Sequence, residues 1–391
     1  MTIPKTKLLG ELAEVLRGTT ITRKQVTPGD VPVIAGGKTP SCSHNISNRS
    51  GETITVSASG AYAGYVQYFN HPIFASDCST IQVKSKDETN TKYLYYALLA
   101  LQNEIYEFQR GSGQPHVYPS QLVNLEIPVL PFPEQHKIVE ILEDHLSRLD
   151  AALADVKQAK VKAAQFLKSL LHSIFEGKYS ARPDTWEHRA IGDFAEVKGG
   201  KRLPKGTKWS DEPTSHPYIR ATDIKFGKIN NEDLVHVPES VWKSIARYVV
   251  EENDVVITIA GTIGEIAVVP PNLSGANLTE NAAKVVFDHG YVMPSYMSMY
   301  LQSPSVQQDF KKLSRATTQA KLALYRIATV EMPVPTVNEQ RKIVEILEDH
   351  LSRLDASIAL ADVMEKQSVG LRRSLLQAAF TGQLTKEVAS V

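Results

Sequence analysis

KIVEILEDHLSRLDA occupies residues 137–151 and returns letter for letter at residues 342–356, a shift of 342 − 137 = 205. Fifteen identical residues in one register are a duplication. The match continues more loosely without a gap: Glu134 and Gln135 answer Glu339 and Gln340, SLL at 169–171 answers 374–376, and Phe175 with Gly177 answers Phe380 with Gly382. Each copy reads as one long helix. Pro133 stands where a first helical turn accepts proline, Asn338 offers an N-cap to the second copy, and Gly177 and Gly382 sit where a left-handed residue would end each helix.

Apolar or small residues recur at steps of four and three: Ile138, Leu142, His145, Leu149, Ala152, Val156, Ala159, Ala163, Phe166 and Leu170. The second copy repeats the pattern as Ile343, Leu347, His350, Leu354, Ser357, Ala361, Met364, Ser368, Leu371 and Leu375. This is a heptad seam. At about 1.5 Å per residue, about 43 residues make a rod of roughly 60 Å, several times the helix length of a compact domain. Such a rod needs a partner along its length, and the obvious one is the other copy. His145 and His350 fall on the seam, where a lone polar residue reads as a register device or, less simply, as a pH switch or ligand. Glu140, Glu143, Asp144 and Asp150 read as a solvated acidic face.

The helices divide the chain into a first globular region at 1–133, a helix at 134–178, a connector and second globular region at 179–338, a helix at 339–383 and a tail at 384–391. Both globular regions read as mixed α/β. The first shows strand-like runs at 31–34, 52–57, 64–69 and 80–83, a helix at 92–108, and the turn-rich loop GSGQPHVYPSQL at 111–122. In the second, IGDFAEV at 191–197 matches LGELAEV at 9–15, a shift of 191 − 9 = 182, so 205 − 182 = 23 more residues lie inside it. Strands are expected near 218–220, 254–260 and 265–269, a helix at 294–313, and a loop RATTQAKLALYRI from Arg315. Gln114 and Gln319 are again 205 apart. The helices therefore meet one demand twice, whereas the globular regions meet two different demands. An approximate two-fold between the halves would set the helices antiparallel and bring residues 381–391 near the start of the chain.

With 391 residues, 42% of them apolar, the chain has room for two or more ordinary cores. It has no eighteen-residue apolar run, and residues 1–18 carry charges where a signal peptide would be apolar. A soluble, cytoplasmic protein is expected. Its two cysteines, Cys42 and Cys78, suit free thiols better than a disulfide framework or a structural zinc site. Forty-three basic residues balance forty-three acidic ones. If DNA is the ligand, basic patches must be offset by acidic surface elsewhere, or a partner supplies much of the phosphate contact.

Catalytic signatures are missing. There is no glycine-rich cofactor loop with an Asn-Pro-Pro-aromatic motif for base methylation, and no phosphate loop for ATP. GTIG at 261–264 reads as a hairpin turn rather than a phosphate contact. His44, His71 and His116 have no partner at ligand spacing, so neither metal nor cofactor is expected.

The residues suited to DNA lie in loops. Lys198, Lys201, Arg202, Lys205 and Lys208 put five cations into eleven residues, with Gly199, Gly200 and Gly206 opening the backbone to an anion; the bland alternative is a solvated basic loop. Lys38, His44, Asn45, Asn48 and Arg49 are types that reach base edges, though a surface loop often has this composition. Tyr62, Tyr65, Gln67 and Tyr68 are DNA contacts or half-buried sheet residues. Arg110 and His116 in one loop, with Arg315 and Lys321 in its counterpart, could touch DNA.

IPVLPFPEQHKIVEIL from Ile127, MPVPTVNEQRKIVEIL from Met332, the GSGQ and ATTQ loops before them, and the helix ends LLHSIFEG and LLQAAFTG carry a family likeness. VKGGKRLPKGTKW from Val197 and PYIRATDI from Pro217, which contains Arg220, fit it too. On these motifs the chain resembles, over nearly its whole length, the specificity subunit of Type I restriction and modification enzymes. The resemblance implies two target recognition domains, each reading half of a split asymmetric DNA sequence. The paired helices would be a ruler between the half-sites and a dock for two modification subunits. Methyl transfer from S-adenosylmethionine to adenine would belong to those subunits, and cleavage to a separate restriction motor and nuclease subunit. Double-stranded DNA and these subunits are the implied partners, without a membrane, and the half-site centres should lie about 34 Å, one duplex turn, apart. The rival reading is a coiled-coil scaffold whose two globular regions bind proteins. An enzyme in its own right is the third.

Overall fold

The computed structural model describes residues 5–111, 113–175, 186–225, 227–314 and 320–381. They form two compact units, Met1–Lys157 with Ala361–Val391, and Gln158–Leu360.

The first unit is built on a four-stranded antiparallel sheet in the order Ala13–Arg17, Cys78–Val83, Thr53–Ser57, Val66–Phe69. The central TITVS strand is buried along its whole length, which is where β-branched residues pack best. Ile54, Val56 and Ile81 are fully buried, each contributing about 1.5–3 kcal/mol by leaving water. A smaller sheet pairs Val31–Ile34 with Cys42–His44 antiparallel and with Phe74–Ala75 parallel. The hairpin-like pair Lys5–Leu8 and Glu126–Val129 then hands the chain to the helix Phe132–Phe175. The helix expected at 92–108 is two, Thr91–Ala100 and Gln102–Glu107. At the break, the Gln102 carboxamide accepts from Val66 N (3.1 Å) and donates to Gly64 O (2.7 Å), tying the joint to the edge strand. Short helix Pro119–Leu122 also forms inside the segment expected to be a loop.

The second unit repeats this plan. Its main sheet runs Ala195–Gly199, Ala282–Phe287, Val255–Thr258, Ile266–Val268, all antiparallel. Pro217–Ile219 lies between Val235–His236, antiparallel, and Asn277–Leu278, parallel. Glu187–Ala190 pairs with Glu331–Val334 as Lys5–Leu8 does with Glu126–Val129. Additional elements, the hairpin Ile224–Lys225 with Lys228–Ile229 and the helix Glu239–Ile245, fall between Pro217–Ile219 and Val255–Thr258. The helix expected at 294–313 is likewise split, into Pro294–Leu301 and Pro304–Ser314, because Pro304 cannot continue the first ladder. GTIG lies in the hairpin between Val255–Thr258 and Ile266–Val268, with Gly261 and Gly264 at φ +78° and +91°.

Each unit takes part of each long helix. In the first, Ile138, Leu142 and Leu146 share a core with Leu376, Ala379 and Phe380 of the helix Val337–Phe380, and Arg372 pairs with Asp150. In the second, Leu170, Leu171, Ile174 and Phe175 share a core with Val344 and Leu347, and the Phe166 and His350 rings meet edge-on at 5.9 Å. Within either unit, rising numbers on one helix face falling numbers on the other, so the segments run antiparallel.

The seam has the expected heptad spacing but the opposite phase. Leu142, Leu149, Leu347 and Leu354 face inward or half inward, as expected, with Leu170 and Ala361 buried. The alternate positions are displaced by one residue: Leu146 and Leu153 turn in, while His145 and Ala152 are exposed. His145 is therefore not a register residue, and His350 is half-buried rather than central to the seam. Leu146 goes inward in preference to His145, and Leu153 in preference to Ala152, and continuity carries that phase along the helices. Phe166 thus stands 48% exposed beside half-buried Leu167, and Leu371 stands 52% exposed beside Arg372. Leu375 is half-buried with Leu376 buried next to it, and Ile343 is half-buried beside Val344.

Helix entry also differs from expectation. The second long helix begins at Val337, so Asn338 lies in its first turn. Thr336 caps it: Glu339 Oε2 accepts from Thr336 N (3.0 Å) and Oγ1 (2.7 Å), while Glu339 N donates to Thr336 Oγ1 (3.4 Å). The Thr336 hydroxyl bond is the main reason the Glu339 carboxyl titrates below its ordinary range. Gly177 and Gly382 lie outside the described residues.

EQ, the dipeptide repeated at both helix starts, has a structural cause. Gln135 and Gln340 are buried. Gln135 accepts from Asn90 N (2.9 Å) and donates to Glu88 O (3.0 Å) and Leu130 O (2.9 Å). Gln340 accepts from Met293 N (2.8 Å) and donates to Tyr291 O (3.1 Å) and Pro335 O (2.9 Å). One carboxamide satisfies three backbone groups that burial would otherwise leave unpaired.

Burial pushes the Cys78 thiol up to about 12, whereas Cys42 is exposed. Iodoacetamide at pH 8 should label Cys42 in the folded chain and reach Cys78 only after denaturation, as mass spectrometry of the peptides would show; equal labelling of both would contradict the packing. Because the folded value is raised, this thiol's contribution is fully present below its unfolded pKa, about 8.5, and is lost as pH rises towards about 12.

Candidate nucleic-acid interface

In the second unit the strand Ala195–Gly199 runs into the basic segment 198–208. A Cβ on Gly200 would lie 2.2 Å from Thr279 O and 2.3 Å from Leu278 O, so this glycine permits close backbone packing. Gly200 N donates to Ala282 O (3.2 Å) and Lys201 N to Leu278 O (2.8 Å). Both N–H groups are engaged within the fold, so Gly200, one of the three glycines expected to open the backbone to an anion, does not offer its own N–H. Two of the five cations are neutralised locally. Lys198 pairs with Glu196, and its hydrogen bond holds the Glu196 carboxyl below the usual range. Arg202 Nε lies 2.6 Å from Glu280 Oε1. Lys201, Lys205 and Lys208 are exposed and make no ion pair among the described residues.

Arg220 is engaged internally. Its Nε and Nη2 donate to the buried Asp223 carboxylate (3.0 and 2.8 Å), and Nη2 also reaches Asp233 O (3.1 Å). A guanidinium already bound on its fork has its bidentate recognition geometry in use, so Arg220 is a structural residue and not the DNA contact expected. The Asp223 hydrogen bond raises its pKa further.

Three of the five candidates in the polar loop of the first unit are also committed to the fold. His44 is 6% exposed, its Nδ1 lies 3.0 Å from Thr27 N, and its ring packs edge-on against Phe74 at 5.2 Å. Asn48 clasps the backbone of Ala75, donating to its O (2.9 Å) and accepting from its N (2.7 Å). Arg49 donates from Nε to Thr80 Oγ1 (3.0 Å) and from Nη1 to Asn48 O (2.7 Å). Their side chains are occupied as framework, which corrects their assignment as base readers. Asn45 and Lys38 are exposed, as is Tyr62 at 44%. Lys38 Nζ sits 5.0 Å over the Tyr62 ring and 5.2 Å over that of Tyr65, and its carbonyl accepts from Gln67 Nε2 (2.8 Å). Tyr68 packs on Tyr95 (5.5 Å) as a half-buried sheet residue.

The described ends of the paired loops make equivalent backbone bonds in the two units. Arg110 and His116 exchange backbone bonds (3.0 and 2.9 Å), and Val117 N donates to Ala58 O (3.0 Å). At a shift of 205, Leu322 N donates to Ile259 O (2.8 Å) beside Lys321. Arg110 and Lys321 are exposed, and His116 is half-buried with its ring stacked on Tyr118 at 6.0 Å. Arg315 and Gln319 lie outside the described residues.

Sequence reasoning missed Arg247, Tyr248 and Lys284. They join Lys198 and Gly200 around a cleft of about 270 Å³ in the second unit. Lys284 could have been found, because strand alternation pairs it with Lys198 in register; Arg247 reaches the cleft through a loop whose path the sequence does not disclose. Among the described residues, no group of three or more His, Cys, Asp or Glu could hold a metal ion, and no helix is long and apolar enough to cross a membrane. The exposed loops present cations, amides and aromatic faces, which suit the binding of a polyanion with readable edges.

A family model described as "Type I restriction modification DNA specificity domain" matches residues 5–162 and again 183–360. The Type I restriction enzyme EcoBI specificity subunit of Escherichia coli is 22% identical over 350 residues, covering 82% of this chain and 72% of that protein. The MjaVIII specificity subunit of Methanocaldococcus jannaschii is 21% identical over 337 residues, 83% of this chain and 77% of the other. A chain solved to explain complex assembly and conformational transition of the type I R-M system has the same fold, with a TM-score of 0.75 at 17% identity over 98% of this chain and 99% of that one. The HsdS subunit from Thermoanaerobacter tengcongensis gives 0.54 at 17% identity, over 98% and 97%.

Proposed function

This chain belongs to the Type I restriction modification DNA specificity domain family, and on that premise we propose that it is the DNA-recognition and assembly subunit of a Type I restriction-modification complex. Regions 1–133 and 179–338 act as target recognition domains, one for each half of an asymmetric bipartite site. Helices 134–178 and 339–383 set the gap between the half-sites and dock two methyltransferase subunits. The chain itself is non-catalytic and cytoplasmic, with methylation and cleavage carried by the modification and restriction subunits.

One observation supports this reading above the rest: a single buried framework is built twice, yet it presents unlike exposed groups. Gln135 and Gln340 make the same three bonds, and Tyr93 OH and Tyr296 OH donate to the equivalent carbonyls Pro128 O (2.8 Å) and Pro333 O (2.9 Å). The exposed sets are Lys38, Asn45 and Tyr62 in one unit, and Lys201, Lys205 and Lys208 in the other. Side chains of these types give base contacts in the major groove and phosphate contacts beside it. With no net basic excess, much of the phosphate contact falls to the partner subunits.

Mapping DNA methylation in the host with and without this gene tests the proposal. One bipartite methylated motif should vanish on deletion and return on complementation. If every methylated motif persists, the chain is not the reader, and the scaffold reading takes its place.

A further inference from the structure

The cleft in the second unit is lined by three cations, Lys198, Arg247 and Lys284, and Lys201 joins Arg247 over the ring of Tyr248. Lys198 and Lys284 are register partners on adjacent strands, and Arg247, Tyr248 and Gly200 also line the cleft. Arg247 Cζ sits 4.9 Å and Lys201 Nζ 5.9 Å from the Tyr248 ring centroid. Two of these charges are balanced at once: Lys284 Nζ lies 2.9 Å from Asp254 Oδ2, and Lys198 pairs with Glu196. Arg247 and Lys201 have no carboxylate partner among the described residues. The cleft is therefore net positive, and Arg247 is exposed.

The first unit shares the backbone of this corner but not its free cations: Arg49 N donates to Ile73 O as Val250 N does to Ala276 O. Gly18 corresponds to Gly200: a Cβ on it would lie 2.2 Å from Ser76 O, as one on Gly200 would from Thr279 O. Beside Gly18, Arg49 exchanges backbone bonds with Ile73 (3.1 Å) and extends Nη2 towards Arg17 O (3.5 Å). Beside Gly200, Leu278 N donates to Tyr248 O (2.9 Å), next to Arg247. Neither arginine pairs with a carboxylate among the described residues. The Arg49 side chain is engaged within its own unit, so the unpaired cations Arg247 and Lys201 belong to the second unit alone and are open to an anionic ligand. In duplex DNA the anion on offer at every sequence is the backbone phosphate, which carries the same charge whatever the bases.

We propose that the cleft seats one phosphodiester of the DNA backbone, held by Arg247 and Lys201 against Tyr248, with Lys198 and Lys284 behind them. The assignment rests on the DNA-reading function proposed above and adds an orienting, sequence-blind interaction to it. Because cleft volume and charge would also admit a free phosphate, the test must separate the two.

The measurement is binding of a mixed-sequence duplex by the full chain co-purified with its modification subunits, titrated at several salt concentrations. Arg247→Gln with Lys201→Gln should flatten the plot of log affinity against log salt by about 0.9 for each phosphate that is no longer neutralised. Arg247→Lys should keep most of the slope, and Lys86→Gln, which removes a charge from the first unit, should leave it unchanged. The methylated motif should keep the same bases in the double variant. An unaltered slope in the double variant would overturn the seat while leaving the DNA-reading function standing. Absence of salt-dependent duplex binding in the parent complex would remove both. Should millimolar inorganic phosphate bind the parent and not the double variant, with the duplex slope equal in the two, the ligand is free phosphate and the assignment to the backbone fails.

Discussion

Replacing Phe380 by alanine should destabilise the first unit by about 3–5 kcal/mol, the usual result of emptying a buried aromatic site. Phe380 is 8% exposed and meets the ring of Tyr93 edge-on at 5.2 Å, inside the core that holds Leu9, Leu94 and Leu142. Its repeat partner Phe175 does the same in the second unit, 5.5 Å from the ring of Tyr296 and 5.3 Å from that of Tyr300. Hydrogen exchange on the full chain can read the two sites separately. Phe380→Ala should speed exchange in strands Thr53–Ser57 and Cys78–Val83, and Phe175→Ala in Val255–Thr258 and Ala282–Phe287. Equal acceleration of both sheets by either substitution would show that the helix ends do not serve the units assigned to them.

A larger effect on function is expected from lengthening the helices. On the proposed function, a heptad inserted at matching places in both helices adds about 10 Å of rod, the rise of about three base pairs at about 3.4 Å each. Seven residues restore the seam phase, so Leu142 and Leu146 on one side of an insertion and Leu153 and Val156 on the other keep facing inward. The methylated motif should retain both half-sites with a wider gap. A motif of unchanged gap in cells carrying the insertion would mean that the helices do not set the distance.

Much of this architecture was legible in the letters. The 205-residue repeat is a statement about shared surroundings, and Gln135 and Gln340 show its basis in three identical backbone bonds apiece. Strands such as Thr53–Ser57 followed from β-branched runs. The seam phase was harder because the 4,3 and 3,4 alternations both pass through Leu142 and Leu149, and only inward packing of Leu146 instead of His145 decides between them. Individual DNA contacts were the least readable. His44, Asn48 and Arg220 have suitable side chains for base edges, yet Thr27, Ala75 and Asp223 engage them first. A residue type says what a group can bind, whereas the fold decides whether that group is still available.

The division of the long helices between the units bears on how the protein is made. The second unit, Gln158–Leu360, is one unbroken stretch, whereas the first needs Leu376, Ala379 and Phe380 to close a core that begins with Leu9. Domains usually mature on the ribosome in the order of their synthesis. Here the amino-terminal lobe must wait, partly open, until the last helical turns emerge, and the lobe translated after it can finish first.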